Sequence, residues 1–141
     1  MNSPAKHVEA TVDVVPFYGQ IEVGDRDLAD KPQWVTGEES VISNDSMVCV
    51  ATQSDTEGSV QIAILSEPQG DLSDRGHEVF FGELSLPSGH LVVGSSIGAQ
   101  MEEFDLTPAR SVNVRILVHP QEAPRNVTVL LSHVGKPAAA E

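Results

Sequence analysis

Period-two alternation of β-branched and polar residues, repeated almost from end to end, most restricts how this chain can fold. Val112, Val114, Ile116 and Val118 alternate with Ser111, Asn113, Arg115 and Leu117. Val60, Ile62 and Ile64 alternate with Ser59, Gln61 and Ala63, and Val127, Val129 and Leu131 with Asn126, Thr128 and Leu130. Earlier in the chain, Phe17, Gly19, Ile21 and Val23 fall on one side of a pleat, with Tyr18, Gln20 and Glu22 on the other. Successive side chains of a strand point to opposite faces, so this pattern reads as half-buried strands. Further strands are expected over 9–15, 47–52, 78–86, 90–94 and 101–106. No segment holds a period of 3.6 over three turns.

Turn signals separate these runs. Ser54-Asp55-Thr56-Glu57-Gly58 reads as a hairpin loop and Pro87-Ser88-Gly89 as a tight turn. Segment 66–76 reads as an exposed loop, and 25–37 as a longer connection with one helical turn before Pro32. Eight or nine short strands at this spacing predict an all-β fold, a single-domain antiparallel β-sandwich of jelly-roll-like form. The 141 residues suit one domain. Residues 8–134 are assigned to it, and 1–7 and 135–141, with little to bury, are expected to be flexible. Only four Phe, one Tyr and one Trp are available, so Val, Ile and Leu must supply the core volume.

Charge is distributed unevenly over this pattern. Residues 1–105 carry 19 acidic and 4 basic side chains, the remainder 2 and 4, for a net charge of −13. Self-repulsion works against the compact state, so the acid serves either solubility or a basic partner. It argues against nucleic acid or an anionic membrane as the main partner, because such affinity comes largely from Lys and Arg. No apolar run approaches the ~20 residues that span a bilayer. The first seven residues lack the apolar core of a signal peptide, and Cys49 has no partner for an internal disulfide. A cytoplasmic location is expected.

Motifs of catalysis are missing. There is no Gly-x-Ser-x-Gly elbow and no Walker glycine loop. Cys49, between Val48 and Val50, reads as a small core or interface residue rather than an activated thiolate. Glu38-Glu39 and Glu102-Glu103 are adjacent pairs that point to opposite faces of a strand, not ready-made acid/base dyads. The five histidines, His7, His77, His90, His119 and His133, show no short metal-ligand spacing. A cupin-like metal protein, hinted at by Pro87-Ser88-Gly89-His90, is therefore an alternative without its His-x-His pair. No cofactor is expected. Calcium is the alternative left open by acidic loops at 24–27, Asn44-Asp45 and 71–74, although Asp and Asn most often serve turns. Trp34 is expected to plug an end of the sandwich rather than to bind sugar.

The segment Phe17-Tyr18-Gly19-Gln20-Ile21-Glu22-Val23-Gly24-Asp25, followed by Trp34, resembles the opening of the competence protein J family. There an aromatic-x-Gln-aliphatic strand runs to an Asp with a Trp shortly after. Glu78-Val79-Phe80-Phe81-Gly82-Glu83-Leu84-Ser85, then Phe104-Asp105-Leu106 and 112–118, is similar in order to the rest of the pattern, and related uncharacterised bacterial proteins share it. The resemblance covers 15–132 and rests on short motifs. Ala109-Arg110 departs from it, standing where a glycine turn would be expected. It implies a small acidic protein that binds and inhibits a nuclease.

The resulting expectation is a non-enzymatic, inhibitor- or immunity-like module for a basic protein partner, the alternative being a calcium- or ligand-binding sandwich. Candidate contacts are the loop acids Asp25, Asp27, Glu38, Glu39, Asp55 and Glu57, with Tyr18 as an aromatic anchor. The sequence does not define an oligomeric state.

Overall fold

Alternation becomes ten strands in the computed structural model, which describes residues 8–27, 30–66, 76–95 and 100–132. They are β1 (Glu9–Val14), β2 (Gln20–Asp25), β3 (Val41–Ser43), β4 (Met47–Ala51), β5 (Val60–Ser66), β6 (His77–Ser85), β7 (His90–Ser95), β8 (Gln100–Asp105), β9 (Ser111–His119) and β10 (Asn126–Ser132). Two five-stranded sheets result, β1-β5-β10-β9-β6 and β3-β4-β2-β7-β8. The fold is the expected all-β sandwich. Pairing is antiparallel except between β5 and β10, which run parallel at the centre of the first sheet. Parallel strands are usually covered on both faces. β10 is consistent with this, since Val127 through Leu131 are all buried, including Leu130 in the outward register.

The pleat sorts the side chains. Ile62, Ile64, Val114, Ile116 and Val129 of the first sheet meet Ile21, Val23, Val48, Val50 and Val93 of the second, all fully buried. Each such side chain contributes about 1.5–3 kcal/mol relative to exposure. Phe80 and Phe104 pack only at the margin of this aliphatic core. No helix among the described residues is long and apolar enough to cross a membrane.

Local readings changed in three places. Phe17–Gly19 is a 3-10 turn with Tyr18 at φ +61°, so β2 begins at Gln20 and Tyr18 leaves the register it was assigned. The tenth strand, β3, is three residues long, too short for alternation to show. The Ser54–Gly58 loop is not a hairpin, because β4 and β5 belong to different sheets and the connection crosses between them. It instead forms a second 3-10 turn, Asp55–Glu57, with Ser54 Oγ accepting from the Thr56 amide at 3.2 Å. The expected helical turn before Pro32 falls partly on 28–29, outside the described residues. So do the two tails and most of the 66–76 loop.

The register defines two ends. Connections 15–19, 52–59 and 120–125 lie together at one, where β6 also begins. Connections 44–46, 86–89 and 106–110 lie at the other, beside the end of β2.

Candidate functional site: an acidic cleft at one end of the sandwich

The first end holds most of the expected contact residues. Thr52 N donates to Gly19 O at 2.8 Å, bringing the two 3-10 turns side by side. Tyr18, 83% exposed, therefore stands next to exposed Asp55 and Glu57. Gln53 N donates to Pro124 O at 2.8 Å, tying the 120–125 connection to the same group.

Glu39 builds the adjoining segment. Its carboxylate accepts from the amides of Val35 (2.9 Å), Thr36 (3.2 Å) and Gly37 (2.9 Å) and from Thr36 Oγ1 (3.1 Å). Donors stabilise the ionised form. Its own amide, then that of Val35, with Thr36 after them, draws the Glu39 pKa down to about 2. The folded segment leaves Glu38 exposed.

Between Glu38-Glu39 and the 120–125 connection lies a cleft of about 360 Å³. Ala51, Val79, Val118 and Pro124 provide its apolar lining, and Glu38, Glu39 and Glu122 its acid; His77 also lines it. The cleft lies between the segment leading into edge strand β3 and the start of edge strand β6. Gly76, at φ +136°, brings the start of β6 onto β9, where a Cβ would collide with the Val118 carbonyl. Among the described residues, Glu38, Glu122, Asp55 and Glu57 make no ion pair, and Arg125 is the one Lys or Arg on the connections and 35–40 segment of this end.

Asp25 and Asp27 are at the opposite end. Asp25 is 2% exposed and so is not a surface contact. Its Oδ1 accepts from Ser88 N (3.0 Å) and Ser88 Oγ (2.8 Å), and its Oδ2 from Asp27 N (3.0 Å). Asp27 is exposed but paired with Arg26 at 3.0 Å. Arg26 also reaches Glu103 at 3.2 Å, and His90 Nδ1 lies 3.0 Å from the same carboxylate. The acid at this end is thus partly neutralised locally.

The outward face of the second sheet is covered. Gln20 and Glu22 were read as sharing the polar side of the pleat with Tyr18, and Glu22 on that side is 3% exposed. Lys31 Nζ lies 3.4 Å from its Oε2, and Trp34 Nε1 donates to Gln20 Oε1 at 2.7 Å. Trp34 thus rests on this face instead of plugging an end. Cys49 pairs in register with Glu22, and burial, reinforced by the Glu22 charge, pushes its thiol up to about 12.

Side chains suited to a metal are dispersed. Among the described residues no three of His, Cys, Asp or Glu gather where they could hold an ion. Asn44 Oδ1 is occupied by the amides of Ser46 (3.0 Å) and Met47 (2.9 Å), a turn role like that of Asp25. The acids at 71–74, and His7 and His133, lie outside the described residues. Sequence reading missed Glu122 and His77. Glu122 carried a partial signal, an acid between Pro120 and Pro124, but nothing local placed it across from Glu38.

No family model matches this sequence, and no curated protein sequence does. Solved structures do. ComJ from Bacillus subtilis, an inhibitor of the DNA-degrading activity of NucA, superposes with a TM-score of 0.72 at 14% identity, over 94% of this chain and 100% of that one. The protein of crocagin biosynthetic gene J superposes with a TM-score of 0.53 at 11% identity, over 92% and 98%. Identities this low establish fold and not activity. The resemblance to the competence protein J family, first seen in short motifs, holds in three dimensions over nearly the whole chain.

Proposed function

We propose that this protein is a non-enzymatic, inhibitor-like module that binds a basic protein, with a nuclease as the partner class. The observation that carries the reading is the near full-length likeness to a structure whose protein inhibits a nuclease. The acidic end supports it. Asp55, Glu57, Glu38 and Glu122 stand there without ion pairs among the described residues, beside the exposed ring of Tyr18. Affinity for nucleic acid comes largely from Lys and Arg facing the phosphates, and a carboxylate-rich end competes for such a cationic groove with the same sign of charge. The acids steer encounter, while Tyr18, held out on its tight turn, anchors the docked complex.

The test is capture from host lysate at low salt, followed by association kinetics across ionic strength. One stoichiometric basic protein is expected. Its association rate should fall at least about tenfold as salt shortens the screening length from about 30 Å to about 8 Å. A rate indifferent to salt removes the electrostatic part, and a captured partner that is acidic or absent removes the reading.

A further inference from the structure

The cleft at the acidic end has a chemistry that an open acidic surface lacks. Its apolar lining is accessible at Ala51 and Val79, with Val118 and Pro124 buried behind them, and the exposed Glu38 and Glu122 line it as well. Both walls are built in advance. The Glu39 carboxylate holds 35–37 through four hydrogen-bond donors, and Gln53 N holds the opposite wall through Pro124 O. A binding surface ordered before contact loses less entropy on binding. At about 360 Å³ the space is at the small end of ligand pockets, which run from roughly 300 to 1,000 Å³.

Phosphate and carboxylate ligands are repelled by Glu38 and Glu122. A wholly apolar group would satisfy the apolar lining and strip water from carboxylates that make no ion pair among the described residues, which is costly. An alkyl stem ending in a cation suits both parts, because Lys and Arg lay their methylenes on apolar surface and keep the charged head at the polar edge. We propose that this cleft receives one arginine or lysine side chain of the partner protein, with the stem against Ala51 and Val79 and the head at Glu38 and Glu122. The proposal rests on the inhibitor reading for the source of that side chain, but the cleft's own affinity can be measured without it.

The full chain is titrated with acetyl-Gly-Arg-Gly-amide, its lysine counterpart, and the citrulline peptide, which keeps the shape and loses the charge. Backbone amide shifts are followed by NMR. Saturable shifts at Ala51, Thr52, Val79 and Val118 with the two cationic peptides only, weakened about tenfold or more by Glu38→Gln with Glu122→Gln, support the cleft. Shifts spread evenly to Asp55, Glu57 and Asp27, an equal response to citrulline, or no saturable shift overturn it. Against a captured partner, the Glu38→Gln/Glu122→Gln pair should weaken binding about 30-fold, whereas Asp55→Asn/Glu57→Gln, the same charge change at the same end, should cost about threefold. Equal losses overturn the cleft and leave the inhibitor reading standing. Peptide binding without any basic partner does the reverse.

Discussion

Replacing Asp25 with alanine separates a fold role from a contact role, and the structure sets the expected size. The carboxylate is 2% exposed and accepts three hydrogen bonds, two from Ser88 and one from the Asp27 amide. Bonds to a charged acceptor are worth about 1.5–3 kcal/mol each. The three do not add fully, because Ser88 Oγ also bonds His90 O at 3.3 Å and keeps a partner when Asp25 is gone. A loss of about 3–4 kcal/mol is expected for Asp25→Ala. At about 2–4 °C per kcal/mol for a domain near this size, the melting temperature should fall by about 10 °C. Asp25→Asn keeps an oxygen for Ser88 and sets an NH2 against the Asp27 amide, so about 1–2 kcal/mol is expected. Urea melts with an unchanged slope would measure both. An Asp25→Ala loss below about 1 kcal/mol refutes the pinning argument. A folded Asp25→Ala protein that no longer captures its partner would return Asp25 to the contact list.

The remaining expectations concern the covered face and the Glu39 turn. Lys31→Met should cost about 1–2 kcal/mol, below the figure for a fully buried pair because the ammonium is partly in water; adding Glu22→Gln should recover part of it, and a strictly additive cycle would refute the coupling. Glu39 has a folded pKa of about 2 against an ordinary 4.5, so its stabilisation is complete above pH 4.5 and is lost as pH falls from there towards 2. Amide exchange at Val35, Thr36 and Gly37 should therefore gain acceleration over that window relative to Glu39→Gln, and parallel profiles would count against it. Cys49 should resist a thiol reagent at pH 8 in the native state and react at once in urea; rapid native labelling would contradict its burial.

Legibility followed the range of the interaction. Nine of the strands were visible because alternation is written residue by residue, and core positions such as Ile62, Ile64, Val114 and Ile116 came with it. Tyr18 was misplaced because a positive-φ 3-10 turn leaves no mark on a hydrophobic pattern. The burial of Glu22 was not legible because alternation reports which side of a pleat a residue faces, not whether a side chain such as Lys31 covers that side. Asp25, Asp27, Glu38 and Asp55 were indistinguishable as loop acids. One became a buried acceptor, one an ion-pair partner, and two became part of the acidic end.

By itself, then, the sequence determined that the chain makes an aliphatic β-sandwich with surplus acid, because side-chain period and net charge are additive along a chain. Tertiary structure alone decided which acids stand together. Glu38 and Glu122 line one cleft, and the Asp55–Glu57 turn is brought to the same end, by strand register and by a crossing between sheets, and such non-local pairings place side chains by the geometry of the whole sheet rather than by anything the neighbouring residues encode.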